Sequence, residues 1–199
     1  MKYKYIAVER EYGSGGTEVA RQLSEATGIP VYGKELLEMV AEETGVPVDL
    51  IQKYEEKSTN SFLYSIVMLS RLQQPDGEFS SQEDKVFYYE KNIIRSLADK
   101  GPAIFVGHCA GEVLNDRRNV LRVFITADLD SKMTRIRKEY EIPEKEAEST
   151  RKRFDNKRAA YYAATTGKEW RDLSGYDLVL NTGTMGVEET VRILRSIVA

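Results

Sequence analysis

Nine residues near the amino terminus, Glu9-Arg10-Glu11-Tyr12-Gly13-Ser14-Gly15-Gly16-Thr17, lie between an apolar stretch at 3–9 and a stretch with helical spacing at 17–26. Clustered glycines let the backbone turn its N–H groups toward one point, and the helix that follows adds the positive end of its dipole. The segment therefore predicts a phosphate-binding loop between a strand and a helix. Its predicted cofactor-binding residues are Gly13, Ser14, Gly15, Gly16, Thr17 and Glu18.

This loop meets the P-loop pattern G-x-x-x-x-G-K-[ST] only in part. Gly15 and Thr17 agree with it, whereas Gly16 stands in place of the lysine and Arg10 in place of the first glycine. Thr17 has the position whose hydroxyl reaches Mg²⁺ in P-loop enzymes, and it also suits a helix N-cap. Two alternatives stay open: a tight turn without a ligand, and a dinucleotide-binding G-x-G-x-x-G turn, which the charge of Glu18 opposes.

Short apolar strands alternate with helices along the rest of the chain. The predicted strands are 3–9, 29–32, 103–106, 120–125 and 178–180, and the later helices are 83–100, 110–115, 128–140, 144–165 and 187–198. Such alternation is typical of a parallel sheet that is covered by helices on both faces. The fold class is therefore α/β with a central parallel β-sheet.

The composition is that of an ordinary globular protein. The 199 residues fit one domain, with 41% hydrophobic and 31% charged residues. A net charge of -3 argues against nucleic acid or an anionic membrane as a partner. No apolar run approaches the roughly 20 residues that cross a bilayer, and Cys109 is the single cysteine, so a cytoplasmic location is expected.

Several segments together resemble one family. Arg10, Gly13 to Gly16 and Val19-Ala20 are similar to the signature R-E-[FY]-G-S-G-G-x-x-[IV]-A of cytidylate kinase-like proteins, in the P-loop nucleoside monophosphate kinase superfamily. Residues 104–110 resemble that family's I-x-V-G-R-C-A segment, with His108 in place of the arginine that would contact an acceptor phosphate. Further similar segments are 30–36, 121–137, 157–162 and 176–182, together with Trp170.

The resemblance implies a single three-layer P-loop kinase domain over residues 1–199. It implies a helical acceptor-site insertion at about 33–82 and a lid at about 144–174. The implied activity is transfer of the γ-phosphoryl group of ATP, with Mg²⁺, to a nucleoside monophosphate or similar small acceptor. Loop 10–17 would hold the β- and γ-phosphates.

Basic and aromatic side chains supply the remaining candidates. The predicted catalytic residues are Arg10, Arg153, Lys157 and Arg158, and the predicted substrate-binding residues are Lys34, His108 and Tyr161. His108 either contacts a phosphate or packs its loop, and Tyr161 either stacks on a base or anchors its helix. The basic run at 151–158 either closes over phosphates or forms a solvated face.

Two rival functions remain open at this stage. The strand that ends at Val106 has no terminal aspartate to hold magnesium, and Gly16 replaces the loop lysine. Both features favour a regulator that binds a nucleotide but does not catalyse phosphoryl transfer. A kinase of a non-nucleotide metabolite is the second rival. Separately, His108 weakens the case for cytidylate as the acceptor.

Overall fold

The computed structural model describes residues 2–51 and 82–198, which form a parallel five-stranded sheet with helices on both faces. The strands are β1 (Tyr5–Arg10), β2 (Val31–Tyr32), β3 (Ala103–Val106), β4 (Val120–Thr126) and β5 (Leu178–Asn181). Their order across the sheet is β2-β3-β1-β4-β5, and every pairing is parallel. The first strand of the chain, β1, thus lies at the centre of the sheet.

The helices fill the connections between these strands. They are α1 (Gly16–Thr27), α2 (Glu35–Thr44), α3 (Gln82–Lys100), α4 (Ala110–Val113), α5 (Leu129–Lys138), α6 (Glu144–Thr166) and α7 (Thr182–Val198), with a short 3-10 helix at Leu173–Gly175. None of these helices is both long enough and apolar enough to cross a membrane. Most of the predicted acceptor-site insertion, including 58–81, lies outside the described residues.

Alternation along β1 produces a hydrophobic core on each face of the sheet. Ile6 and Val8 face one core, and Tyr5 and Ala7 face the other. The first core is completed by residues of α1 and α7, namely Val19, Leu23, Val191 and Leu194. The second is completed by residues of α2, α3 and α4, namely Leu36, Ile94, Leu97 and Ala110. The predicted three-layer arrangement is thus confirmed.

Element boundaries differ from the sequence-based expectation in two places. The β2 strand covers only 31–32, and the carbonyl of Ile29 accepts a hydrogen bond from the Ser24 hydroxyl at 2.6 Å, outside the sheet ladder. Helix α7 begins at Thr182 instead of 187, because the side chain of Asn181 accepts the Gly183 amide at 2.9 Å and so caps an extra turn. A break at Gly186, with φ 77°, separates that turn from the rest of the helix.

Candidate active site

The glycine loop between β1 and α1 has the backbone conformation that its sequence predicts. Gly13 and Gly15 both adopt left-handed angles, with φ of 81° and 75°. Helix α1 begins directly afterwards at Gly16, and the first N–H groups of a helix have no partner within it. An anion placed there would meet those amides and the positive end of the helix dipole.

Little space is left around the loop for any side chain larger than hydrogen. A Cβ atom built on Gly16 would lie 2.5 Å from Cβ of Arg10, and one on Gly15 would lie 3.1 Å from Cζ of Arg135. Lysine is therefore excluded sterically from position 16, because Arg10 already occupies that volume. Arg135 also donates to the Gly13 carbonyl at 2.8 Å, a contact that sequence analysis missed.

The side chain of Ser14 supports the loop from inside. Ser14 is fully buried, and its hydroxyl donates to the carbonyl of Glu11 at 2.8 Å. The amide of Ser14 donates to the same carbonyl at 3.2 Å, and the carbonyl of Ser14 accepts from Thr182. Ser14 thus fixes the loop conformation through its own hydrogen bonds.

A buried carboxylate, that of Glu11, lies beneath the loop. It accepts hydrogen bonds from Lys132 at 2.7 Å, Thr126 at 2.6 Å and Arg171 at 3.1 Å. Burial alone would raise the pKa of Glu11, but the hydrogen bonds from Lys132 and Thr126 outweigh it and hold that pKa below the ordinary 4.5. Glu11 is therefore a paired anion that ties the loop to α5.

Helix α6, the predicted lid, is docked on the other side of the loop. The amide of Tyr12 donates to the buried carboxylate of Asp155 at 2.7 Å, and Arg158 donates to the carbonyl of Arg10 at 2.9 Å. The rings of Tyr12 and Phe154 are stacked, with centroids 4.5 Å apart and planes 4° from parallel. The carboxyl group of Asp155 lies between the loop and the helix, and this burial raises its pKa.

A cleft of about 450 Å³ opens beside the loop, at the carboxyl ends of β1 and β3. Six of the predicted site residues line it, namely Arg10, Lys34, His108, Lys157, Arg158 and Tyr161. The other lining residues are Glu9, Leu37, Gly107, Cys109, Phe154 and Tyr162. Residues far apart in the sequence thus form one basic and aromatic cavity, of the size that holds a small-molecule ligand.

Arg10 links the glycine loop to the end of β3. A Cβ atom added to Gly107 would collide with Nη1 of Arg10, so the guanidinium lies directly against the Gly107 backbone. Burial lowers the pKa of the nearby Arg158, and the positive charge of Arg10 lowers it further. Two guanidinium groups therefore share one end of the cleft.

The turn after β3 has an unusual backbone. Gly107, His108 and Cys109 are consecutive left-handed residues, with φ of 79°, 58° and 52°. The side chain of His108 forms a hydrogen bond through Nδ1 with the carboxylate of Glu90, and the hydroxyl of Tyr161 donates to the other oxygen of that carboxylate. Glu90 is only 1% exposed.

Sequence analysis missed Glu9 and Glu90, although a signal for each was present. Glu90 follows Val86 and precedes Ile94 at helical spacing, so a carboxylate interrupts the apolar stripe of α3. Glu9 follows Tyr5 and Ala7 at strand spacing on one face of β1, where it is 8% exposed and accepts from the Trp170 indole at 3.0 Å. Charged residues at buried positions are markers of function.

Besides the loop residues Gly13 to Gly16, three predicted residues do not line the cleft. Arg153 is exposed, with its guanidinium 5.3 Å from the centre of the Phe154 ring. Thr17 is exposed on the first turn of α1. Glu18 is paired with Arg21, whose hydrogen bond lowers the pKa of Glu18 to about 2, and lies in a second cleft of about 660 Å³. That second cleft is also lined by Arg135, Met185, Gly186 and Val187.

Only a few groups could hold a metal ion. Within residues 2–51 and 82–198, no three histidine, cysteine, aspartate or glutamate side chains are arranged to bind one. Magnesium often takes one or two protein oxygens, with nucleotide phosphates and waters as the other ligands. Two oxygen donors have the right chemistry. They are the hydroxyl of Thr17, on the first turn of α1, and the carboxylate of Glu9, which lines the cleft.

Comparisons with known proteins identify the family of the chain. The model of the cytidylate kinase-like family matches residues 5–184. Cytidylate kinases of Methanothrix thermoacetophila and Methanopyrus kandleri are 28% and 25% identical to the chain, which covers 94% and 87% of their lengths. The alignments include 94% and 92% of this chain.

Solved structures give the same result for the fold. An uncharacterized protein of Eubacterium ventriosum is similar with a TM-score of 0.72 and 27% identity, over 98% of this chain and 97% of that one. Shikimate kinase of Bacteroides thetaiotaomicron, at 15% identity, has a TM-score of 0.53 over 98% of this chain and 97% of its own. The kinase fold and the family predicted from the sequence are confirmed: the chain belongs to the cytidylate kinase-like family.

Proposed function

We propose that the protein is an ATP-dependent phosphotransferase that acts on a small acceptor bound in the cleft. The observation that carries this proposal is the convergence of Arg10, Lys157 and Arg158 on a cavity beside the glycine loop. Phosphoryl transfer needs positioning and charge neutralisation more than covalent chemistry, and these groups supply both. Family membership supports the same reaction class.

The donor phosphates would bind at the loop. The amides at the start of α1 would hold phosphate oxygens, and Arg10 would supply the cation that position 16 has no room to carry. A guanidinium suits this task because its planar fork can bind two phosphate oxygens at once. Arg158, which already contacts the Arg10 carbonyl, would add charge on the side of α6.

The base of the donor nucleotide would lie in the second cleft. Arg135 contacts the loop at Gly13 and also lines that cleft, so it connects the phosphate site to a neighbouring cavity. The flat guanidinium of Arg135 could stack on a base, and Met185 and Val187 add apolar lining to the same cleft. Bound Mg²⁺, with Thr17 and Glu9 as available oxygens, would neutralise the phosphate charge.

A nucleoside monophosphate is the first acceptor to test, because the relatives named above are cytidylate kinases. The docked position of α6 would exclude water from the phosphate end of the cleft, while Lys34 and Tyr161 would contact the acceptor. The decisive assay is ADP formation from ATP and Mg²⁺ with a panel of nucleoside monophosphates, nucleosides and sugars.

The assay separates this proposal from the nucleotide-binding regulator. Acceptor-dependent formation of ADP, with a phosphorylated product seen by mass spectrometry, is expected. ATP binding without ADP formation from any acceptor or from water would contradict the proposal and favour the regulator, which the missing loop lysine makes the second candidate.

A further inference from the structure

Glu90 holds a position that packing alone does not explain. Its carboxylate is nearly inaccessible to solvent, and its two oxygens contact His108 Nδ1 and the Tyr161 hydroxyl. Burial of a carboxylate is costly unless hydrogen bonds compensate. Here both partners line the cleft, so the buried charge organises two side chains that face a ligand.

The backbone at His108 is also constrained. A left-handed φ of 58° at a residue other than glycine costs of order 1 kcal/mol or more. The neighbouring Cys109 has the same conformation, with φ of 52°. This turn holds the imidazole at the carboxyl end of β3, where open parallel sheets bind their ligands.

We propose that His108 is the general base of the transfer reaction and that the acceptor group is therefore an alcohol, not a phosphate. This inference rests on the proposed phosphotransferase function and narrows its acceptor class. Glu90 is a positioning residue, because a carboxylate beside Nδ1 favours the tautomer that has its proton on Nδ1 and its lone pair on Nε2.

The chemistry explains why a base distinguishes the two acceptor classes. A phosphate monoester is mostly ionised at neutral pH, so its oxygen attacks without losing a proton. An alcohol must lose its proton as it attacks, and a base within hydrogen-bond reach provides the path. A histidine held by a buried carboxylate therefore suits an acceptor that carries an O–H group.

The proposed step balances in atoms and charge. The acceptor oxygen forms a bond to the γ-phosphorus of ATP while its O–H bond breaks, and the proton passes to Nε2 of His108. The bond between the γ-phosphorus and the β–γ bridging oxygen breaks, and its electron pair stays on ADP. The imidazolium is stabilised by the Glu90 carboxylate until its proton passes to water.

The charge of the pair formed by Glu90 and His108 also favours an alcohol as the acceptor. With His108 neutral, the pair formed with Glu90 carries one negative charge, and with His108 protonated the pair is neutral. In neither state does it offer the net positive charge that a phosphate dianion needs. The cations that line the cleft are Arg10, Lys34, Lys157 and Arg158, and the donor phosphates are proposed to bind at Arg10 and Arg158.

The first test replaces His108 by asparagine, which tolerates left-handed angles but cannot act as a base. The matched control is Glu141→Asn, at an exposed residue with φ of 56°. Water is an O–H acceptor that is always present, so ADP formation from ATP and Mg²⁺ is measured both without added acceptor and with nucleosides, glycerol and sugars. His108→Asn should lower the rate at least about a hundredfold, and Glu141→Asn should leave it unchanged.

The second test addresses the positioning role of Glu90. In Glu90→Gln the side-chain amide can donate to Nδ1, which moves the ring proton to Nε2 and removes the base. We expect kcat to fall about a hundredfold while the KM for the alcohol and the affinity for ATP stay close to wild type. A purely structural role for Glu90 would instead change KM and ATP affinity together with kcat.

Three results would overturn the inference. They are wild-type turnover by His108→Asn, an unchanged kcat in Glu90→Gln, and a wild-type protein that phosphorylates nucleoside monophosphates at the phosphate but no alcohol. Failure of the proposed function has a different signature, because wild-type protein would then form no ADP from any acceptor, including water.

Discussion

Two buried glutamates, Glu11 beneath the glycine loop and Glu90 on α3, have different partners. Glu11 lies beneath the glycine loop and pairs with the Nζ atom of Lys132 at 2.7 Å. Glu90 lies behind the turn after β3 and binds an imidazole and a phenol. The same residue type thus serves as an anchor when its partner is a fixed cation, and as part of a proton-transfer site when its partners can exchange protons.

The largest effect on stability is expected at the anchor. Glu11→Gln leaves the buried ammonium of Lys132 without its anion, and breaking a buried pair costs about 3 kcal/mol of unfolding free energy. Urea denaturation at pH 7 measures it. A cost below about 1 kcal/mol would show that Glu11 does not anchor the loop.

The same variant has a defined pH dependence. The pKa of Glu11 is lowered on folding, so its contribution is fully present above the ordinary pKa of 4.5 and is lost as the pH falls through the folded value. The difference in unfolding free energy between wild type and Glu11→Gln should therefore shrink below pH 4.5. A difference that stays constant down to pH 3 would contradict the assignment.

The next largest effect concerns the two guanidinium groups between the loop and α6. Arg158→Ala should lower kcat about a hundredfold, or about 3 kcal/mol, with little loss of ATP affinity, whereas Arg10→Ala should weaken both. Arg153→Ala is the matched control, since Arg153 lies on the same helix but is exposed outside the cleft. Steady-state kinetics and calorimetry on the three variants make the test. Equal losses of kcat in Arg153→Ala and Arg158→Ala would show that the effect does not depend on whether the arginine lies in the cleft.

A smaller effect is expected where the two sides of the cleft touch. In Gly107→Ala the new methyl group displaces the Arg10 guanidinium, and we expect about a tenfold loss of kcat/KM, or about 1.4 kcal/mol. Gly28→Ala is the control for backbone strain, because φ there is 71° and its Cβ would meet no described atom within 4 Å. Both variants should lose similar stability, of order 1 kcal/mol. Equal activity in the two variants would show that the contact between Arg10 and the turn at Gly107 does not affect catalysis.

The smallest effect belongs to the aromatic stack between loop and α6. A double-mutant cycle of Tyr12→Leu and Phe154→Leu should give a coupling energy of about 1 kcal/mol in thermal or urea unfolding. A coupling near zero would mean that the stack of Tyr12 on Phe154 does not help to dock the helix.

The sequence predicted the loop better than the turn after β3, for physical reasons. Glycines at 13 and 15 indicate left-handed backbone directly, whereas His108 and Cys109 adopt it only because tertiary contacts hold them there. The parallel sheet could be predicted because short apolar strands alternate with helical segments along the chain. The pairings of Glu11 with Lys132 and of Glu90 with His108 join residues far apart in the chain, which local patterns do not encode.

The positions of the basic side chains followed the same division. Helical spacing places Lys157 beside Arg153 and Arg158 beside Arg151, yet of these four residues only Lys157 and Arg158 line the cleft. Which of them do so depends on how α6 packs against the loop at Tyr12. The contact between Arg135 and Gly13 was not predicted, because the sequence of α5 does not indicate which of its basic residues contacts the loop.

The central claim, that the glycine loop holds the donor phosphates, is tested most directly by titrating ATP and Mg²⁺ into wild-type protein and Gly15→Val in a calorimeter. Position 15 has φ of 75° and only 3.1 Å between a built Cβ and the Arg135 guanidinium, so valine would distort the loop and fill the phosphate space. Circular dichroism confirms that the variant is folded. We predict binding to wild type and none to folded Gly15→Val; equal ATP affinity in the two proteins would contradict the account.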